Sequence, residues 1–125
     1  MDKIRLNKKD IIKYEEVRID DAELIVCAYG ITSRIARHAV QQARDEGIRA
    51  GLLRLITVWP FPEERIRELA PQVKAFVVPE INYGQIVLEV ERCVAGKAKT
   101  LLVPHMGGSV HLPQTILEAI REAVK

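Results

Sequence analysis

The chain has 125 residues, the size of one ordinary domain. Nineteen Lys+Arg against 17 Asp+Glu leave a formal net charge of +2, which argues against a dedicated nucleic-acid binder. Hydrophobic residues make up 48% and aromatics only 5%, so the core must be aliphatic, and no run approaches the ~18 apolar residues of a membrane span.

Residues 1–20 are charge-dense and weakly patterned. They read as a lead-in arm from a preceding domain, with Ile11, Ile12 and Tyr14 in a short helix or arm, and residues 21–125 read as a single domain. Leu24-Ile25-Val26-Cys27-Ala28 is a continuous apolar run ending in Tyr29-Gly30, the pattern of a strand covered on both faces. Thr32 and Ser33 offer a cap to a helix whose Ile35, Ala36, Ala39, Val40 and Ala43 repeat at helical spacing, and Gly47 supplies its stop. A second strand spans Ala50 to Val58 and is broken by Trp59-Pro60-Phe61-Pro62. Pro62, Glu63 and Glu64 then open a short helix carrying Ile66 and Leu69, because proline fixes φ and the carboxylates meet the positive end of the dipole.

A third strand is read over Val73–Val78, followed by a turn through Glu80-Ile81-Asn82-Tyr83-Gly84 and a helix presenting Ile86, Val87, Val90 and Val94. A fourth strand, Thr100–Val103, leads into Pro104-His105-Met106-Gly107-Gly108. The last helix starts near Pro113 and buries Ile116, Leu117, Ile120 and Val124. Strands alternating with helices at this spacing predict a mainly parallel sheet with helices on both faces.

Ligands and partners of such a sheet gather at the carboxyl ends of its strands, where four loops qualify. Gly30, Thr32, Ser33 and Arg34 place hydroxyls, amides and a cation at a helix start, which reads either as simple capping or as an anion contact. Trp59 and Phe61, stiffened by two prolines, form a rigid apolar loop that either plugs the sheet or presents a preformed contact surface. Glu80, Asn82, Gly84 and Gln85 gather a carboxylate, two amides and a backbone-permissive glycine at one strand-to-helix junction, as loop bracing or as contact with another domain, subunit or ligand. Gly107 and Gly108 permit close backbone approach at the last strand end.

No bond-making constellation accompanies these loops. Cys27 and Cys93 form no CxxC pair and read as buried apolar thiols in a reducing cytoplasm. His38, His105 and His111 have no metal-site spacing, and Ser33 and Ser109 have no nucleophile-elbow context. With no apolar leader at Met1–Arg5, the sequence predicts a soluble, cytoplasmic chain without a self-contained active site, metal or membrane anchor.

At these same loops the chain resembles a known family. Tyr29-Gly30 before the alanine-rich helix, Gly51-Leu52-Leu53-Arg54 leading into Trp59-Pro60-Phe61-Pro62, Pro79-Glu80-Ile81-Asn82-Tyr83-Gly84-Gln85 with Glu89-Val90-Glu91, and Gly107-Gly108 with Pro113 together resemble the C-terminal part of the alpha subunit of thiamine-diphosphate-dependent 2-oxoacid:ferredoxin oxidoreductases, particularly the 2-oxoglutarate type. The resemblance covers roughly Tyr14 to the end. It implies a transketolase C-terminal-like fold, with three α/β/α layers around a five-stranded, mostly parallel sheet with one antiparallel edge strand.

The resemblance also implies a complete enzyme that decarboxylates a 2-oxoacid on thiamine diphosphate, passes electrons through iron–sulfur clusters to ferredoxin, and releases an acyl-CoA. Its cofactor-holding parts would be the remaining alpha-subunit domain, a magnesium-binding beta subunit and ferredoxin-like subunits. The catalytic residues of that family find no counterparts here. Glu80, Asn82, Gly84, Gln85, Gly107 and Gly108 carry over as family-typical loops for inter-domain or inter-subunit contact, with Trp59 and Phe61 beside them, and no cofactor is expected on this chain. Left uncovered, Trp59 and Phe61 would favour a homodimer of the isolated chain. Two other readings stand beside this one: a stand-alone anion- or CoA-binding α/β module, and the equivalent domain of a 2-oxoacid dehydrogenase beta chain.

Overall fold

The computed structural model describes residues 2–6, 13–29, 31–56, 63–80, 85–104 and 113–124. Six strands make one sheet: β1 (Asp2–Leu6), β2 (Lys13–Val17), β3 (Leu24–Tyr29), β4 (Ala50–Leu55), β5 (Ala75–Glu80) and β6 (Lys99–Pro104), in the order β1-β2-β4-β3-β5-β6. Neighbours among β4, β3, β5 and β6 pair in parallel, and β2 runs antiparallel to β4. These five strands are the mixed sheet expected from the sequence. Asp2–Leu6 adds a sixth, antiparallel to β2, so β2 lies one strand in from the edge. The arm read over residues 1–20 thus supplies two strands to the sheet; Ile11 and Ile12 lie outside the described residues.

Four helices cover the sheet: α1 (Ile31–Asp45), α2 (Glu63–Leu69), α3 (Gln85–Val94) and α4 (Pro113–Ala123). On one face Ala36, Ala39, Val40 and Ala43 of α1 and Ile116 and Ile120 of α4 pack on Leu24, Val26, Leu52 and Val77. On the other, Ile66 and Leu69 of α2 and Val90, Cys93 and Val94 of α3 pack on Ile25, Cys27, Leu53, Phe76 and Val78. Alternate residues of each parallel strand feed the two cores, which is why β3 reads as an unbroken apolar run.

Local chemistry sets the element ends. Gly47, at φ 88°, follows α1, and its N–H donates to the Arg44 carbonyl while the Ile48 N–H donates to Ala43. That bond pair is a Schellman stop, and glycine takes the left-handed position without strain. The expected strand over Val73–Val78 starts instead at Ala75, because Pro71 closes a 3₁₀ turn over Ala70–Gln72. β4 ends at Leu55 rather than Val58; residues 57–62 lie outside the described residues. Gly51 is required by close approach: a Cβ there would stand 2.9 Å from the Arg18 carbonyl oxygen.

Arg44 ties the turn into β3 to the rest of the fold. Its guanidinium donates to the Arg18 and Ala50 carbonyls, at 2.8 Å each, and to both oxygens of Asp21. At the amino edge, the Glu23 carboxylate accepts from the Arg49 amide at 2.9 Å and pairs with the Lys74 ammonium.

Candidate interface at the carboxyl edge of the sheet

The chain order puts a topological switch between β3 and β5. From β3 the chain crosses by α1 to β4 on one side, then by α2 back past β3 to β5 on the other. Crevices outside strand ends at such points are where open α/β sheets hold ligands. Here the split is physical. β3 pairs with β4 as far as Tyr29↔Leu55, whereas its ladder to β5 stops at Val26↔Val77. Two residues beyond Val77 stands buried Pro79, which has no N–H to donate to a neighbour. The sequence reading placed Pro79 outside the strand, in the run leading into the turn. Its role as the residue that cannot extend the ladder was legible only once the pairing was known.

Tyr29 closes β3 at this edge and is 42% exposed, unusual for a large ring at the end of a fully buried strand. Beyond it, α1 begins at Ile31, so Thr32 and Ser33 sit inside the first turn and not at the cap position the sequence suggested. Both are buried, Thr32 at 1% and Ser33 at 3%, while Arg34 is exposed. The Thr32 Oγ1 has no hydrogen-bond partner. An unmet buried hydroxyl costs about 1–3 kcal/mol, so Thr32 is not explained by stability.

The structure ends β5 at Glu80 and opens α3 at Gln85, which brings these two sequence-predicted positions to the same edge as Thr32 and Ser33. Gly30, Trp59, Phe61, Asn82, Gly84, Gly107 and Gly108 lie outside the described residues. The strands preceding them, β3, β4, β5 and β6, all point their carboxyl ends the same way.

On β2, across β4 from the switch strand β3, lies a polar group that the sequence reading missed. Glu15 on β2 accepts from Arg37 of α1 at 2.8 Å and from Arg54 of β4 at 3.3 Å. Its neighbour Glu16 accepts two bonds from the Arg65 guanidinium of α2. Both carboxylates are buried, at 6% and 4% exposure. The signal available in the sequence was a Glu-Glu pair in a short run flanked by Tyr14 and Val17, which only the strand period turns into one carboxylate per face.

The donor set was tested against the groups the family implies. Among the described residues no three His, Cys, Asp or Glu side chains gather as a metal site. Cys27 and Cys93 are both buried and in no disulfide, and burial pushes the Cys93 thiol up from its ordinary value. An iron–sulfur cluster needs several thiolates gathered at one place, and two single buried cysteines do not supply them, so these residues do not fit such a cluster or a metal diphosphate, and no chemical step is routed through either. Among the described residues no helix is long and apolar enough to cross a membrane.

Residues 22–116 match the model of the pyruvate:ferredoxin oxidoreductase core domain II. The chain belongs to this family. It is 42% identical over 119 residues to the 2-oxoglutarate synthase subunit KorA of Methanothermobacter marburgensis, covering 95% of this chain and 32% of that protein. It is 48% identical over 111 residues to the ketoisovalerate oxidoreductase subunit VorB of Methanothermobacter thermautotrophicus, covering 89% of this chain and 31% of the other. The chain therefore spans about a third of the length of the curated relatives it matches.

Two solved structures share the fold of this domain II. One is a 2-oxoglutarate:ferredoxin oxidoreductase from Magnetococcus marinus with 2-oxoglutarate, coenzyme A and succinyl-CoA bound, at TM-score 0.74 and 19% identity, covering 100% of this chain and 20% of that one. The other is a split gene transketolase, an inactive beta4 tetramer, also at TM-score 0.74 and 19% identity, covering 84% and 40%. Both agree with the transketolase-like architecture that the sequence motifs implied.

Proposed function

We propose that this domain II is the non-catalytic assembly domain of the alpha subunit of a 2-oxoacid:ferredoxin oxidoreductase, docking through its carboxyl-edge loops. The observation that carries the reading is a family match over residues 22–116 in a chain that spans only 32% of a relative named as an enzyme subunit. The other two-thirds of such a relative, outside the match, is where the catalytic groups belong.

The complete complex would oxidatively decarboxylate a 2-oxoacid to an acyl-CoA and reduce ferredoxin, using thiamine diphosphate, magnesium and iron–sulfur clusters held by the remaining alpha-subunit domain, the beta subunit and the ferredoxin-like subunits. The KorA relatives favour 2-oxoglutarate as the substrate. A relative named for ketoisovalerate matches at 48%, which supports placing substrate choice outside this domain. The family match also favours this reading over a 2-oxoacid dehydrogenase beta chain. Two buried cysteines in no disulfide accord with a reducing cytoplasm.

Docking is tested by reconstituting the chain with the other subunits and domains of the complex. Trp59→Ala with Asn82→Ala is expected to weaken assembly by ~2 kcal/mol or more and to lower ferredoxin reduction in parallel. Unchanged assembly and activity in the double variant, or keto-acid oxidation by the isolated chain, overturns the reading. In isolation the apolar Trp59 and Phe61 are expected to favour a homodimer, seen as a doubled mass by sedimentation that the Trp59→Ala change reverses.

A further inference from the structure

The sheet ends in two unlike edges. β1 carries charges at Asp2, Lys3 and Arg5, which guard an outer strand against pairing, whereas β6 carries only Lys99. An extended strand turns the backbone groups of successive residues to opposite sides, so alternate residues of β6 bond to β5 and the others face outward. The Lys99 N–H donates to the Lys74 carbonyl at 3.0 Å, which assigns Lys99, Leu101 and Val103 to the inner side. The prolines agree. The opposite assignment would need N–H groups from Pro79 and Pro104, and neither has one, yet the ladder runs on to Glu80↔Pro104. The N–H groups of Thr100 and Leu102, and the carbonyls of Thr100, Leu102 and Pro104, therefore point to the outer side, where among the described residues no strand pairs. Leu102 is 44% exposed, whereas the mid-strand apolar residues of β3, β4 and β5 are buried.

We infer that β6 pairs edge to edge with β6 of a second copy of this chain, antiparallel and centred on Leu102. Centred there, each Leu102 exchanges both backbone bonds with the second copy's Leu102, and each Thr100 N–H donates to the Pro104 carbonyl of the other copy. Pro104 serves only as an acceptor, so its missing N–H leaves nothing but the Thr100 carbonyl to water. The register also sets Leu101 opposite Val103 and Thr100 opposite Pro104, so no like charges face each other, and the two Lys99 residues fall at opposite ends of the ladder. A parallel pairing in register would set Lys99 beside Lys99. This self-complementarity about one residue selects a second copy over an unlike strand. The inference goes beyond the docking reading and does not rest on it, since the outer side of β6 is separate from the carboxyl-edge loops.

A single pair of edge strands is a small interface, so its Kd is expected on the order of 0.1 mM. The test is amide hydrogen exchange of the ¹⁵N-labelled 125-residue chain carrying Trp59→Ala, which removes pairing through the Trp59–Phe61 loop. The Leu101 and Val103 amides, on the β5 side, are expected to be protected at every concentration. The Thr100 and Leu102 amides are expected to slow about fourfold as the chain is concentrated from about 0.05 to about 2 mM, as that Kd requires. Leu102→Pro removes an N–H that the fold does not use, and Leu102→Lys sets two ammonium groups together. In both, Thr100 exchange is expected to lose its concentration dependence. Leu88→Lys, at an exposed position of α3, should keep it. Thr100 and Leu102 rates that do not change with concentration overturn the inference. Slow exchange throughout would mean that the chain covers its own edge, and slowing only after the other subunits are added would mean that an unlike strand pairs there. Concentration dependence that persists in both Leu102 variants equally overturns it. Should Leu102→Pro not fold, Leu102→Lys and the parent chain decide.

Discussion

Glu15 and Glu16, neighbours on β2, are buried on opposite faces of the sheet and gripped by arginines from different helices, Arg37 of α1 and Arg65 of α2. β2 therefore joins the fold by charge as much as by apolar area: of its described side chains, Val17 and Tyr14 meet the two cores. Removing one partner of a buried pair strands the other charge away from water. Arg65→Met is expected to cost about 3 kcal/mol in urea unfolding. Arg37→Met alone should cost less than Arg37→Met with Arg54→Met, because Arg54 still reaches Glu15 at 3.3 Å. Equal losses from the single and double variants would show that Arg54 adds nothing to the hold on Glu15.

The approach of Arg18 to Gly51 makes a second prediction. A Cβ at residue 51 would lie 2.9 Å from the Arg18 carbonyl oxygen, 3.1 Å from the Ala22 Cβ and 3.3 Å from the Ile19 Cα. Two of these atoms are backbone, and Arg44 donates to that same carbonyl at 2.8 Å. The segment cannot step back without breaking the Arg44 bond, so Gly51→Ala is expected to destabilise by about 1–3 kcal/mol. Gly96, at φ 80° with nothing within 4 Å of its Cβ position, offers the contrast. Gly96→Ala pays only the left-handed backbone cost of about 1 kcal/mol. Chemical unfolding of both variants separates steric clash from backbone strain.

What the sequence disclosed and what it withheld follow from the range of the interactions. β3 was legible from Leu24–Ala28 alone because both of its faces are buried, and the end of α1 was legible because Gly47 acts through bonds within five residues. β2 was not legible. Two adjacent glutamates argue against burial, and the arginines that permit it come from residues 37, 54 and 65, far along the chain. At the carboxyl edge, the family motifs single out Tyr29 and Glu80, which are the last residues of β3 and β5. They could not show that Thr32 lies within the helix and not at its cap, because a one-residue shift in the start of α1 changes its role entirely.

Acid should loosen this fold at identifiable bonds. The Arg44 guanidinium holds the Asp21 carboxyl below its ordinary 3.8, and the Arg49 backbone amide holds Glu23 below its ordinary 4.5. Arg121 lowers Glu46 and Arg92 lowers Glu63 in the same way. A carboxyl lowered in the folded state contributes stability that is present above its unfolded value and is lost as pH falls through its folded one. The melting temperature is therefore expected to hold steady at neutral pH and to fall as pH drops below 4.5. Glu23→Gln should lower it at pH 7 and make the acid slope shallower. An acid slope identical to that of the parent would show that Glu23 gains nothing from the Arg49 amide and Lys74.

The two thiols supply the last prediction. Cys27 and Cys93 belong to the same apolar cluster, at 0% and 3% exposure, and burial raises the Cys93 thiol above its ordinary value of 9.0. Only the thiolate attacks a disulfide reagent; burial shuts off access to both thiols and at Cys93 also lowers the thiolate's concentration. In the native chain neither cysteine should react with a thiol-exchange reagent at pH 7.5 on the timescale of minutes, whereas guanidinium should release both together. Two-step release would mean that α3, which carries Cys93, opens separately from β3, which carries Cys27. That outcome would place α3 among the locally unfolding parts of the domain, as befits a helix that starts at the proposed docking edge.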